Sequence, residues 1–291
     1  MMSDPKRSVL ITGCSDGGIG AFLAIAFHKA GLHVYATVRN PAKAEGLAST
    51  GIEVLTLDIS SESSIAACVE KVPSLDILVN NAGQTYFMPV ADLDIAEAKR
   101  LFDVNVWAQI AVTQAFLPLL IKSPSAIVVN HTSACSAVPL AFQATYNASK
   151  AALSMFSDNL RLEMDPFGVR VVELKSGFLR SNFVRNAQSS NAATLPKGSV
   201  YEPVRELVEK RLRSEGAEDM GELPDRWAEQ VVRDLLKRNP PRVIWRGGGA
   251  GLSWLSTMLP YGVLDGALKK SAGLDEMKQI IQKGESSKPT G

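Results

Sequence analysis

The chain predicts one doubly wound α/β domain, a parallel sheet with helices on both faces. Three observations carry this expectation. Short, β-branched, wholly apolar runs alternate with longer amphipathic ones through the first two-thirds of the sequence. Strands so apolar are buried on both faces, as in a parallel sheet covered by helices. The first run leads straight into a glycine-rich loop and then a helical pattern. Finally, 291 residues with 46 % hydrophobic and 21 % charged side chains suffice for one large, well-buried core and argue against global disorder.

Taken in order, residues 9–11 read as a first strand and 19–30 as a helix stopped by Gly31. A second strand covers 33–38, a third 54–57 and a fourth 77–79. Residues 95–120 carry one long helical pattern, 126–129 a fifth strand, 149–164 a helix and 169–174 a sixth strand. The composition changes after Gly177, and 186–199 is polar and turn-rich, the pattern of a mobile loop. Residues 225–238 read as a helix between Pro224 and Pro240-Pro241, with a solvated face at Asp234 and Lys237, and 243–245 as a last strand. The main domain is therefore expected over 1–246, with a lid at about 178–226. Residues 247–291 form a C-terminal extension that is glycine-rich, then apolar, then basic.

Composition removes several classes of function. A formal net charge of +1 gives no nucleic-acid footprint. Cys14, Cys68 and Cys135 have neither metal spacing nor a disulfide framework, which fits a reducing, cytoplasmic setting. His28, His33 and His131 form no ligand pattern, so no metal is expected. The apolar run from Val9 to Ile11 is too short for a signal-peptide core. No apolar stretch reaches the ~18 residues needed to span a bilayer.

The loop Thr12-Gly13-Cys14-Ser15-Asp16-Gly17-Gly18-Ile19-Gly20 joins the first strand to the first helix. Glycines there allow a tight turn and let backbone N–H groups approach a pyrophosphate, and the helix N-terminus adds partial positive charge. A dinucleotide is the expected ligand, with Gly13, Ser15, Gly18, Ile19 and Gly20 as its candidate contacts. A site for NAD usually has an acid near the end of the second strand, for the ribose hydroxyls. None occurs between Val34 and Asn40; Arg39 stands there instead, suited to a ribose 2′-phosphate. The expected cofactor is NADP(H). Asp16, a negative charge inside the loop, is a contrary signal.

Tyr146 and Lys150 are four residues apart, so on a helix they share a face. A nearby ammonium favours the phenolate and lowers the tyrosine pKa, and a tyrosine so tuned can exchange a proton with an alcohol or carbonyl oxygen.

With TGCSDGGIG, Asn80-Asn81-Ala82-Gly83, Asn105, Ser133 and Tyr146-Lys150 in this order, the sequence resembles the short-chain dehydrogenase/reductases, over about residues 7–182 and more weakly to 246. Its GGIG loop, NNAGQ and the stretch Trp245-Arg246-Gly247-Gly248, followed by Leu259-Pro260-Tyr261, are similar to those of fungal NADPH-dependent acyldihydroxyacetone-phosphate reductases. Fungal secondary-metabolite ketoreductases share the layout. The resemblance implies a Rossmann-type fold and NADPH-dependent reduction of a lipophilic carbonyl, in a homodimer or homotetramer. Tyr146 would be the general acid. Lys150 would lower its pKa and bond the nicotinamide ribose. Ser133 would orient the carbonyl, and Asn105 would hold a water linking Lys150 to solvent. Asp58 would contact the adenine, Asn81, Ala82 and Gly83 would line the adenosine side, and Gly177, Leu179 and Ser181 would border the nicotinamide. The family usually has Pro-Gly where this chain has Ser176-Gly177, and its glycine loop is commonly one residue shorter. The same tyrosine and lysine could also serve isomerisation or dehydration. A non-catalytic NADP-binding sensor would usually lack one of them, and all four catalytic positions are intact.

Phe178, Phe183 and Val184 suggest a lipophilic pocket wall, and Cys135 a lining residue; His131 lies near Ser133. Arg180, Arg185 and Lys197 could receive a substrate phosphate. Residues 252–268, followed by Lys269-Lys270, have two readings. One is a helical hairpin broken at Pro260, packed over the cleft or against a partner chain. The other is a peripheral contact through 252–270 with an intracellular membrane or lipid droplet, placing Trp254 and Tyr261 at the interface.

Overall fold

The β-branched runs pair as one seven-stranded sheet in a computed structural model that describes residues 6–181, 194–215, 221–260 and 262–286. The strands are β1 (Ser8–Thr12), β2 (His33–Val38), β3 (Glu53–Thr56), β4 (Ile77–Asn80), β5 (Ile127–His131), β6 (Arg170–Ser176) and β7 (Val243–Arg246). Their order is β3-β2-β1-β4-β5-β6-β7, and every neighbouring pair is parallel. The doubly wound expectation holds, and the strand order reverses between β1 and β4. Ligands of such sheets bind outside the carboxyl ends of the strands at that switch.

Alternate side chains of each strand feed two apolar layers. One lies under α1 (Ile19–Lys29), with Phe27 and Leu23 packed on Val9, Ile11, Val79 and Trp227. The other holds Leu10, Leu78 and Val128 against Ile65 of α3 (Glu62–Val69) and Phe116 and Leu120 of α5 (Ala108–Leu120). A short helix, α2 (Glu45–Ala48), follows β2. A polar seam crosses the second layer: Asn80 Nδ2 donates to Thr113 Oγ1 and to Asn130 Oδ1, each at 2.8 Å, and Asn130 Nδ2 donates to Ser157 Oγ at 2.8 Å. It ties β4, β5, α5 and α6 (Ala144–Glu163) together just below the strand ends that carry the site.

Three helices differ from the sequence expectation. The pattern over 95–120 is α4 (Ile95–Phe102), a π-helical turn at Asp103–Trp107, and then α5. Asp94 caps α4 through its Oδ1, accepting from the Ala96 and Glu97 amides at 2.7 and 3.2 Å. The π turn adds a residue to one turn and so re-aims the side chains around it, here Asn105. Helix α6 starts at Ala144, not at Ser149. Thr145, Tyr146 and Asn147 are weak helix formers, but burial of Thr145 and Tyr146 overrides propensity. The third is α8 (Pro224–Leu235), whose Asp234 is buried rather than solvated. Its carboxylate accepts from Lys237 Nζ at 2.6 Å and from Arg246 Nε and Nη2 at 2.9 and 2.6 Å. Burial raises this acid, but those bonds hold it below its ordinary value. Strand ends shift by one or two residues.

A third apolar cluster joins residues 195–212 and the last helix to the start of α6. Leu195, Val204 and, on α7 (Arg205–Leu212), Val208 and Leu212 surround Tyr86, Met88, Leu101 and Tyr146. Met277 of the last helix, α11 (Leu274–Ser286), is buried in the same cluster. Between them, α9 (Ala250–Ser256) and α10 (Asp265–Ser271) break near Pro260, as the hairpin reading expects. Helix α9 packs on β7 and on the turn Ala134–Ser136. Its outer side chains Leu252, Trp254 and Leu255 stay exposed, as do Met258, Leu259 and Val263 after it. Among the described residues no helix is long and apolar enough to cross a membrane. Tyr261, Phe183, Val184, Arg185 and most of the loop 186–199 lie outside the described residues.

Candidate active site

Both walls of the site come from strand ends at the β1/β4 switch. After β1, Gly17 adopts φ +73° and Gly18 becomes the N-cap of α1. Of the two adjacent glycines, between which the extra loop residue leaves the sequence undecided, Gly17 makes the left-handed turn and Gly18, the expected contact, follows it. Gly20 sits where a Cβ would lie 2.5 Å from the Gly13 carbonyl oxygen and 2.6 Å from Asn81 Nδ2. Only glycine lets the helix start this close to the loop, and the loop this close to the β4 end. Ser15 and Ile19 are half-buried at the loop surface. Asp16 turns away from the helix N-terminus: its Oδ2 accepts from the Gly46 amide at 3.1 Å. That contact directs the contrary charge to the connection after β2.

Asn81 Nδ2 donates to the carbonyls of Thr12 at 2.8 Å and Gly13 at 3.2 Å, and Thr12 Oγ1 accepts from the amides of Asn81 and Ala82, each at 2.9 Å. Arg39 stands exposed just beyond β2, and Asp58 just beyond β3, where its Oδ1 accepts from the Ser60 amide. Gly177, Leu179 and Ser181 follow β6 across the cleft. The Gly177 amide bonds Arg246 O and the Phe178 amide bonds Gly248 O, both at 2.9 Å. The loop, the Asn81–Gly83 strand end and the segment after β6 thus border a single groove whose glycine floor fits a dinucleotide. Those residues, with Arg39, would hold it.

The reacting groups gather on one side of this groove. The Tyr146 hydroxyl is hydrogen-bonded to Ser133 Oγ. Lys150 lies one turn along α6, with Nζ 5.9 Å from the Tyr146 ring centroid and 2.9 Å from the His131 carbonyl oxygen, to which it donates. A Cβ on Gly83 would lie 3.6 Å from that Nζ. Asn105, fully buried, accepts at Oδ1 from the Gln84 amide at 2.8 Å and donates from Nδ2 to Gln84 O at 3.0 Å and Ser149 Oγ at 3.1 Å. Its side chain braces the segment after β4 against α6. Phe87 meets the Tyr146 ring edge-on at 6.1 Å.

The electrostatics correct one expectation. Burial, with Cys135 beside it, pushes the Tyr146 phenol up, and the bond to Ser133 only partly offsets this. The expected lowering by Lys150 is absent. Burial instead drives the lysine down to about 8, and its ammonium is turned to the His131 carbonyl. Near neutral pH the phenol is therefore protonated and the lysine charged. Cys135 lies against the tyrosine, its thiol raised by burial, which agrees with pocket lining rather than nucleophilic chemistry.

All four catalytic candidates thus converge on one pocket. Gln84 and Phe87 were not singled out from sequence, and only their nearness to Asn81 could have pointed to them. His131 proves to be wired into the site. Arg180 donates to Gly221 O at 3.3 Å, and Lys197 is exposed.

Comparison with known proteins gives one consistent result. A family model described as short chain dehydrogenase matches residues 7–192. A short-chain dehydrogenase/reductase of Pestalotiopsis microspora is 52 % identical, over 97 % of this chain and 99 % of its own. The NADPH-dependent 1-acyldihydroxyacetone phosphate reductase of Schizosaccharomyces pombe is 37 % identical, over 89 % of this chain and 92 % of its own. Among solved structures, a short-chain dehydrogenase from Streptomyces avermitilis superposes with a TM-score of 0.73 at 25 % identity, covering 98 % of this chain and all of that one. An alcohol dehydrogenase from Thermococcus sibiricus, complexed with 5-hydroxy-NADP, gives 0.63 at 25 % identity, over 81 % of this chain and 93 % of that one.

Proposed function

Because the chain belongs to the short-chain dehydrogenase family, and is an oxidoreductase with a Rossmann-type nicotinamide cleft, we propose that it uses NADPH to reduce the carbonyl of a lipophilic substrate to an alcohol. The observation that carries this reading is the protonated, buried Tyr146 hydrogen-bonded to Ser133. Reduction needs an acid that holds its proton until charge develops on the carbonyl oxygen, whereas oxidation would start from the phenolate. The nicotinamide, when bound, supplies the hydride.

Each remaining part belongs to the protein. A carbonyl oxygen placed between Tyr146 Oη and Ser133 Oγ accepts two hydrogen bonds that strengthen as it gains charge. Tyr146 gives its proton to that oxygen. Lys150, charged below about 8 and bonded to the His131 carbonyl, presents its ammonium to the nicotinamide ribose rather than to the phenol. Asn105 ties the segment at Gln84 to Ser149, the residue before the lysine. The apolar cluster of Leu195, Val204 and Val208 around Tyr146 excludes water and favours an apolar substrate body. The absence of an acid at the end of β2, together with exposed Arg39, supports the phosphorylated cofactor.

The test is a ketone panel followed by NADPH and NADH absorbance, spanning long-chain acyl ketones with and without phosphate and polycyclic aromatic ketones. At least one lipophilic ketone should be reduced, with NADPH preferred. Tyr146→Phe should lower turnover at least ~100-fold while NADPH still binds. Ketone conversion without a change in cofactor absorbance would replace this reading with isomerisation or dehydration.

A further inference from the structure

The end of β5 holds a histidine that the proposed reaction does not use. His131 is buried, with Nδ1 3.0 Å from Asn81 Oδ1 and Nε2 2.8 Å from Ser176 Oγ. The orientation of the Asn81 amide follows from its other contacts. Its Nδ2 donates to the carbonyls of Thr12 and Gly13, so its Oδ1 must face the imidazole and accept. Nδ1 therefore carries the ring proton and Nε2 is bare. The Ser176 hydroxyl must then donate to Nε2. Trp227 stacks on the ring, 5.6 Å between centroids and 24° from parallel, and closes off its open face. Burial, with Lys150 nearby, holds the imidazole pKa near 3, so one tautomer persists through the working range.

These bonds run from one wall of the groove to the other. At one end are the Thr12 and Gly13 carbonyls of the glycine loop. At the other is Ser176, the residue before the Gly177–Leu179 segment that borders the nicotinamide end. Ser176 ends β6 and opens the turn that follows it. A proline would fix that turn by its ring; here a hydrogen bond is available instead.

We propose that His131 and Ser176 form a positioning lock that sets the turn after β6 and ties it through Asn81 to the phosphate-binding loop. His131 touches no reacting atom. It acts on the cofactor through Asn81 and Ser176, and its main-chain carbonyl anchors Lys150. The proposal rests on the nicotinamide cleft described above, so its test reads cofactor binding directly.

The experiment compares NADPH dissociation constants, by titration of the purified protein, for the wild type, His131→Val, Ser176→Ala, the double variant His131→Val/Ser176→Ala and the double variant His131→Val/Ser176→Pro. Ser176→Ala should weaken NADPH binding about tenfold, the effect of losing one buried hydrogen bond, and His131→Val, which also removes the bond to Asn81, at least as much, with the KM for ketone little changed. The double variant with alanine should be no worse than His131→Val, because the bond that Ser176→Ala breaks is already lost in that variant. His131→Val/Ser176→Pro should recover the part of the affinity that the turn supplies, binding NADPH severalfold tighter than His131→Val/Ser176→Ala. A merely structural role would not give rescue by proline. NADPH affinity unchanged in the single variants, or no recovery with proline in a variant that melts like the wild type, overturns the lock. Should His131→Val not fold, Ser176→Ala alone decides the matter. A wild type that binds neither NADPH nor NADH would instead overturn the proposed function.

Discussion

Arg39 stands exposed past the end of β2, and among the described residues its guanidinium makes no hydrogen bond or ion pair. A cation so placed is available to a 2′-phosphate. Arg39→Ala should raise the KM for NADPH roughly 10–100-fold, the loss of a charged hydrogen bond worth about 1.5–3 kcal/mol, and leave the KM for NADH nearly unchanged. Steady-state kinetics with both cofactors checks this; equal effects on the two would remove Arg39 from the phosphate site. Single residues differed in how far sequence could place them. The spacing of Tyr146 and Lys150, and the resemblance that adds Ser133 and Asn105, anticipate a shared location, and the fold brings the four together. Whether Gly17 or Gly18 makes the turn is not legible in the sequence, because φ is invisible in a string of adjacent glycines. Asp234 was misread because an acid followed three residues later by a lysine looks like a solvated pair. Its second partner, Arg246, is distant in sequence and becomes a neighbour only when β7 joins the sheet. The tyrosine pKa was also misjudged, because helical spacing gives the distance between two charges but not the burial around them.

Helix α11 shows how an element far from the chemistry can shape it. Its Met277 is buried with Val204 and Val208 in the cluster that encloses Tyr146. Met277→Ala should leave a cavity worth ~2 kcal/mol or more, loosening the lid. The KM for ketone should rise severalfold while the NADPH dissociation constant stays put. A matched rise in both would mean that α11 supports the whole cleft rather than the lid. The strands and their parallel pairing were readable from sequence because wholly apolar runs leave few alternatives. The π turn and the early start of α6 were not, because both follow from tertiary packing: the first from the bonds of Asn105 to Gln84 and Ser149, the second from burial of Thr145 and Tyr146. The helical break near Pro260 is legible in the sequence, whereas the apolar side chains left exposed beside it fit two readings.

The whole molecule carries two buried bases whose titration bears on its stability. Lys150 falls from 10.5 when unfolded to about 8 when folded. Between those values the unfolded chain binds more protons, so stability rises with pH across the window. At neutral pH the fold carries the burden of an enclosed ammonium, and removing it should help. Lys150→Met should therefore melt higher than the wild type at pH 7, and by a smaller margin at pH 9.5, while losing turnover. A margin that grows with pH would contradict the burial argument. His131 acts at the other end: held near 3 when folded against 6.5 unfolded, it withdraws stability as pH falls below about 6.5. The third apolar cluster, finally, imposes an order on biosynthesis. A ribosome emits the glycine loop, the Asn81–Gly83 strand end and Lys150 well before residues 274–286, which finish the roof over Tyr146. The nascent chain thus acquires the groove for its nucleotide first and the seal around its substrate last.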